Sequence, residues 1–216
     1  MVSNSEQEVL LSSAVLGPLQ TNSYLIGHLP TREAVLIDGG AIPLPLLKLV
    51  RINTLQVKYV LLTHTHFDHI VGIEEVRQTY GCKVGMHKAE EPILKASRTA
   101  AVRWGLDPPK LQAPDFILRD EERISVGDLT LTALLTPGHS PGGLSFYSED
   151  LGVVFSGDTL FLQSIGRSDF PGGDFETLIS SIKNRLFALP DETRVAPGHG
   201  PSTTISQEKR SNPFVK

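Results

Sequence analysis

The stretch Thr63-His64-Thr65-His66-Phe67-Asp68-His69 places three of the chain's seven histidines and one carboxylate within positions 64–69. Imidazoles at that density repel one another once protonated, whereas neutral imidazoles beside carboxylates suit zinc and similar cations. The run VKYVLLT at 57–63 leads into the cluster and is rich in strand-forming residues, so the histidines sit where a strand ends in a loop.

Three later segments repeat that grammar of an apolar strand running into a loop with His or Asp: TALLTPGHS at 132–140, GVVFSGD at 152–158 and TRVAPGHG at 193–200. In sheet-and-helix proteins the loops at one sheet edge converge, and sites are built there. Convergence would gather His64, His66, Asp68, His69, His139, Asp158 and His199. Seven donors exceed one tetrahedral site, and two ions sharing a carboxylate and a hydroxide would use them all.

Taken singly, His139 or His199 reads as a hydrogen-bonded turn residue; within the set each reads as a ligand. His28 and His87 fall outside the shared grammar and read as surface or structural residues. Asp38 closes VLIDGG, where a turn-forming role and an acceptor role toward a ligand imidazole are equally weighted. Cys82 has no basic neighbour to activate a thiol and reads as a buried strand residue.

Around these motifs, VLLSSAVLG, TNSYLIG and AVLIDGG read as strands of a meander, and PLLKLVRINTL as a helix. IVGIEEVRQTYG is amphipathic and ends in a glycine stop signal, and CKVGMH follows as a strand. Residues 88–120 begin helix-like and turn proline-rich, the pattern of a lid-like excursion. RISVGDLTLTALLT carries a hairpin signal at Gly127-Asp128, and LSFYS and GVVFSGD follow at short spacing. FETLISSIKNRLFAL reads as a helix, and a polar tail follows TRVAPGHG.

At 216 residues and 23.5 kDa the chain suits one domain spanning 1–216, and 40% apolar with 20% charged residues is the balance of an ordinary globular protein. A net charge of −4 without a Lys/Arg run argues against nucleic acid as a partner. One cysteine excludes an internal disulfide, and MVSNSEQEV lacks the basic and apolar regions of a leader. No stretch approaches the roughly 20 apolar residues of a membrane span. A cytoplasmic protein without a membrane partner is expected.

With HTHFDH at 64–69, PGHSPGG at 137–143, SGDTLF at 156–161 and APGHGP at 196–201, the chain resembles the metallo-β-lactamase superfamily along nearly its whole length. The resemblance implies an α/β fold, the αββα metallo-β-lactamase sandwich of two mixed β-sheets flanked by helices, with the site at the edge between the sheets. It assigns His64, His66 and His139 to a first ion, Asp68, His69 and His199 to a second, and Asp158 to a bridge. The cofactors implied are two divalent metal ions, zinc first and iron or manganese as alternatives.

SIGRSDFPGGD at 164–174 and the ending GPSTTISQEKRSNPF look closest to the glyoxalase II-like group, thioesterases acting on hydroxyacyl-glutathione, in a short single-domain form. Longer members carry a C-terminal helical domain that contacts glutathione, whereas only residues 201–216 follow Gly200. The grip on a small-molecule thioester, glutathione-derived in this reading, would then fall to residues 88–120 and 161–174. Arg167 and Asp169 are candidate substrate contacts, although an internal ion pair shaping the loop is the preferred reading. Phe161, Phe170, Tyr24 and Tyr147 read as core rather than pocket wall.

The mechanism implied is attack of a metal-held hydroxide on a thioester carbonyl polarised by the same centre, with Asp68 and Asp158 as catalytic orienting groups. A rival is a persulfide dioxygenase with one iron(II) on His64, His139 and Asp158, which shares the fold and a GRxDF-like segment. A lactonase is a further hydrolytic alternative. The acidic charge disfavours a nuclease, and a complete ligand set disfavours a binding module.

Overall fold

The computed structural model describes residues 8–111 and 113–215. The first seven residues, MVSNSEQ, where no leader is expected, together with Gln112 of the proline-rich stretch and Lys216, lie outside the described residues.

The strands are β1 (Val9–Leu16), β2 (Thr21–His28), β3 (Glu33–Ile37), β4 (Gln56–Leu61), β5 (Lys83–His87), β6 (Phe116–Leu118), β7 (Arg123–Val126), β8 (Leu129–Leu135), β9 (Leu144–Ser148), β10 (Val153–Gly157), β11 (Leu160–Phe161), β12 (Ser164–Ile165), β13 (Arg194–Pro197) and β14 (Thr203–Thr204). The helices are α1 (Leu44–Ile52), α2 (Phe67–Ile70), α3 (Ile73–Tyr80), α4 (Glu91–Arg103), α5 (Phe175–Ser181) and α6 (Ile205–Ser211).

Two six-stranded mixed sheets form, in the orders β1-β2-β3-β4-β5-β6 and β14-β13-β10-β9-β8-β7. Strand residues alternate between faces, and each face finds its own partner. On β3, Val35 and Ile37 pack between the sheets with Ile26, Leu61, Phe146 and Phe155, whereas Ala34 and Leu36 pack outward beneath Leu46, Leu47 and Val50 of α1 and Ile73 and Val76 of α3. On the far side, Val154 and Val195 carry Leu178 of α5, Ile182 and Ile205 of α6. Helix, sheet, sheet and helix layers are therefore stacked, which is the αββα sandwich with two mixed sheets that the resemblance implies.

The expected glycine stop is Gly81, at φ +63, a left-handed conformation that costs glycine nothing. Cys82 is buried, and burial pushes its thiol up to about 11, so the inert reading holds. No helix among the described residues is long and apolar enough to cross a membrane.

Three expectations are corrected. The 88–120 excursion is not a lid: α4 buries Ile93, Leu94, Ser97 and Ala101, and β6 joins the edge of the first sheet. The long helix over 175–189 is α5 followed by a π-helical turn, Ile182–Leu186. The polar tail contains α6, anchored by Ile205, Val215 and the buried Glu208, whose carboxylate accepts from Thr203 Oγ1 at 2.6 Å and Asn212 Nδ2 at 2.9 Å. Too few apolar residues mark that helix for periodicity to show it.

Phe146 is fully buried in the layer between the sheets. Phe146→Ala is expected to lower stability by about 3–5 kcal/mol, read as a fall in the denaturation midpoint with unchanged slope; a loss below about 1 kcal/mol would mean that the layer repacks freely.

Candidate metal centre

β3 runs parallel to β4, and β10 parallel to β13; β8 is antiparallel to β9, which is antiparallel to β10. Within each sheet the C-terminal ends of β3 and β4, and of β8, β10 and β13, thus point the same way, and the loops that follow them meet at one edge of the sandwich. Asp38 follows β3, the 63–69 cluster follows β4, His139 follows β8, Asp158 follows β10 and His199 follows β13.

All seven candidate donors meet there. His64, His66 and His139 form one group and Asp68, His69 and His199 another, with a further grouping of His64, His69 and Asp158 linking them. His139 Nε2 lies 2.9 Å from His66 Nδ1 and 3.3 Å from His64 Nε2. A tetrahedral zinc with Zn–N of about 2.0–2.1 Å holds its nitrogens about 3.3 Å apart. In the second group, Asp68 Oδ2 lies 3.2 Å from His199 Nε2 and 3.6 Å from His69 Nε2. Asp158 stands between the groups: Oδ2 is 3.6 Å from His139 Nε2 and 3.5 Å from His199 Nε2, and Oδ1 is 3.4 Å from His69 Nε2.

Hydrogen bonds behind the cluster settle which imidazole nitrogen faces it. His139 Nδ1 bonds the Arg167 carbonyl at 2.6 Å, His199 Nδ1 the Leu19 carbonyl at 3.1 Å and His69 Nδ1 the Asp38 carboxylate at 2.9 Å. A carbonyl accepts only from N–H, so the Nε2 lone pairs of His139 and His199 point into the site, and the Asp38 carboxylate does the same for His69. His69 Nε2 and Asp158 Oδ1 are buried without a hydrogen-bond partner. Orphaned buried donors and acceptors are costly, and a cation between these two would satisfy both. The donor set fits divalent metal on that observation.

Electrostatics divide the cluster. Burial, then repulsion from His69 and His66, holds the His64 imidazole well below its ordinary range, and burial and His139 push His66 down to about 4. Burial also opposes a proton on His69 and His199, but Asp158 and Asp68 outweigh it and raise both, with Asp38 assisting at His69. Burial would raise Asp158 and Asp68, yet the His69 charge pulls both down. In one group His64 and His66 are thus disfavoured as cations, whereas the other carries a carboxylate, Asp68, that favours a proton on its imidazoles.

Asp38 is resolved as an acceptor: besides His69 it takes Thr63 N at 2.8 Å and Thr63 Oγ1 at 2.7 Å, fully buried. His28 is buried and bonds Thr31 Oγ1, and His87 caps a turn by accepting from Ala89 N, so both stay outside the cluster. Arg167 and Asp169 form a bidentate pair at 2.8 and 2.9 Å, well exposed, with the guanidinium 4.2 Å above the Phe170 ring. The loop-shaping ion pair is therefore present. Tyr24 is core, as expected, and Tyr147 packs partly buried against the α5 layer. Phe170 and Phe161 are corrected: Phe170 stands 5.2 Å from the His66 ring and Phe161 6.2 Å from that of His199, both half-buried at the rim.

Sequence reasoning missed the residues that hold the ligand loops. Asn22 Nδ2 donates to the Pro197 and Gly200 carbonyls at 2.9 Å each, Tyr24 Oη donates to Pro197 O at 2.6 Å, and Thr21 Oγ1 donates to Asp68 Oδ2 at 3.2 Å. The available signal was a strand, β2, carrying Thr21, Asn22 and Ser23 in succession and buried throughout. Gly198 adds a steric constraint: a Cβ there would come within 2.2 Å of Asp158 Oδ1, so the ligand loop closes on Asp158 only with glycine.

An αββα sandwich with imidazoles and carboxylates converging at one edge defines a metallo-hydrolase class of protein. Residues 16–199 match the metallo-beta-lactamase superfamily, and the chain belongs to it. A hydroxyacylglutathione hydrolase, GloC of Haemophilus influenzae, is 38% identical over 85% of this chain and 88% of its own. Among solved structures, the BLEG-1 B3 metallo-beta-lactamase superposes with a TM-score of 0.86 at 40% identity, covering 95% of this chain and 99% of that one. TTHA1623, in a di-iron-bound form, gives 0.85 at 42% over 94% and 99%. ETHE1 from Myxococcus xanthus gives 0.79 at 30% over 94% and 83%.

Asp38→Ala removes the acceptor that orients His69 and is expected to weaken metal affinity about 10–100-fold, measured by competition with a chromophoric chelator. Unchanged affinity in a folded variant would show that the 38–69 contact is incidental.

Proposed function

We propose that the protein is a binuclear metal-dependent thioesterase acting on hydroxyacyl-glutathione thioesters of the S-lactoylglutathione type. The observation that carries it is the paired donor groups with Asp158 Oδ2 within 3.6 Å of an imidazole from each. The likeness to GloC supports the thioester class. His64, His66 and His139 would hold one ion, Asp68, His69 and His199 the other, and Asp158 both. Two divalent ions held there would supply a nucleophile at neutral pH, by lowering the pKa of water to about 7, and a Lewis acid for the carbonyl. Zinc suits this imidazole and carboxylate set, and iron suits it too, as TTHA1623 illustrates for itself.

The chain's own part is alignment. Asp68 is held on one side by the Thr21 hydroxyl and Asp158 is mostly enclosed beside three imidazoles, so both carboxylates are held in place as charge develops. Phe170 shields the His66 and His139 side from water, and Arg167 and Asp169 brace it. A thiolate leaving group needs little protonation, so no acid is required of the rim. A small-molecule substrate, without nucleic acid or membrane as partner and in a cytoplasmic setting, completes the reading.

The GRSDF segment at 166–170 keeps the persulfide dioxygenase as the second reading. It would use His64, His139 and Asp158 alone, leaving His66 Nδ1 idle at 2.9 Å from His139 Nε2.

Elemental analysis of loaded protein is expected to give two ions per chain, alongside thioester cleavage. One ion per chain after reconstitution, with glutathione-persulfide-dependent oxygen uptake and no thioester cleavage, would replace the hydrolase by the dioxygenase. Asp158→Ala is expected to lose metal and activity together while His28→Ala loses neither. Arg167→Ala is expected to raise KM more than it lowers kcat with little change in Tm, because an exposed ion pair adds little stability and remote contacts give uniform binding.

A further inference from the structure

Glu90 is a buried carboxylate that none of the chemistry above uses. It is wholly excluded from solvent and lies where the turn Lys88–Glu90 meets α4. Oε2 accepts from Thr65 N at 2.8 Å and Thr65 Oγ1 at 3.0 Å, and Oε1 accepts from Gly142 N at 2.8 Å. Thr65 lies between His64 and His66, and Gly142 lies three residues beyond His139. One carboxylate therefore ties together the two loops that carry the imidazole triad. The Thr65 carbonyl is held as well, by Ser97 Oγ of α4. By contrast, Asp68, His69 and His199 are braced from β2 and Asp38, with no contact to Glu90 among the hydrogen bonds of the described residues.

We propose that Glu90 is a positioning residue for the His64, His66 and His139 site alone, setting the separation of its two loops and hence its metal affinity. This rests on the binuclear reading above. Three donors converge on two carboxylate oxygens, so the side chain must supply acceptors at both ends. An amide in its place turns N–H groups toward a backbone N–H at one end, and one loop is released.

The test is stepwise loading of metal-free protein with cobalt(II), followed by chelator competition and by the visible absorption that reports coordination geometry. Wild type is expected to load in two steps. Glu90→Gln, which preserves volume, is expected to weaken one step about 10–100-fold and alter its absorption, leaving the other step unchanged. Glu90→Asp, which retains two acceptors, is expected to recover part of the loss. Glu91→Ala, on the exposed neighbour, is expected to change neither step. A merely structural glutamate would lower Tm and shift both steps alike. Equal weakening of both steps, or none, overturns the assignment of Glu90 while the two-step wild type keeps the binuclear reading. Failure of wild type to take up a second ion overturns both.

Discussion

Five imidazoles and two carboxylates in mutual contact form an arrangement that water would ordinarily disperse. Removing Asp158 from solvent is costly unless charge of the opposite sign stands beside it, and His69 and His199, on which the carboxylates favour a proton, both do. The same crowding penalises protons on His64 and His66, which only burial within a rigid frame can sustain. The edge of the sandwich must therefore resist the repulsion of its own ligands. The layer beneath supplies the resistance, because β3, β4, β10 and β13 are each fixed by interleaved apolar faces on both sides, and β8 by its face toward the other sheet.

Between that apolar frame and the ligands runs a shell of hydrogen bonds with few redundancies. Asp38 holds His69 and the Thr63 turn; Asn22 and Tyr24 hold the 197–200 turn; the Arg167 carbonyl holds His139. Each bond also selects a tautomer or fixes a loop, so the metal-facing lone pairs are decided before any ion arrives. Asp38 itself sits at φ +55, a left-handed backbone that aspartate tolerates better than most residues, and its main-chain carbonyl is secured by Ser23 Oγ at 2.6 Å. The turn-forming and acceptor roles of that aspartate coincide in one residue.

How much of this the sequence discloses depends on how each residue signals. HTHFDH, PGHS, SGD and APGHG are legible because ligands cluster at strand ends and metal chemistry restricts their types; the α/β layering is legible because apolar periodicity switches cleanly between two and 3.6. Glu90 is not legible. Lys88-Ala89-Glu90-Glu91 reads as solvated charge at a helix start, and only the tertiary approach of Thr65 and Gly142 distinguishes Glu90 from Glu91. Thr21 and Asn22 are hidden for the same reason, since their partners lie 47 and 175 residues away. The rim aromatics are misread because an isolated phenylalanine in sequence carries no sign of whether it faces the core or an open edge.

Residues 88–105 illustrate the functional cost of reading polarity as mobility. A lid must trade packing for freedom, yet α4 buries Ser97 and Leu94 and reaches the His64–His66 loop through Ser97 and the preceding Glu90. A segment bonded to both the N–H and the carbonyl of Thr65 cannot swing away without dragging the imidazole triad with it. Any adjustment to substrate must instead come from parts that ligands do not share, and the 167–170 rim offers one: its Arg167–Asp169 pair is exposed, and Phe170 leans on the imidazoles without bonding to them. Even there the freedom is partial, because the Arg167 main chain carries the acceptor for His139 while its side chain braces Phe170. Two tasks thus meet in one residue, its backbone orienting a candidate ligand and its side chain shaping the rim beside it.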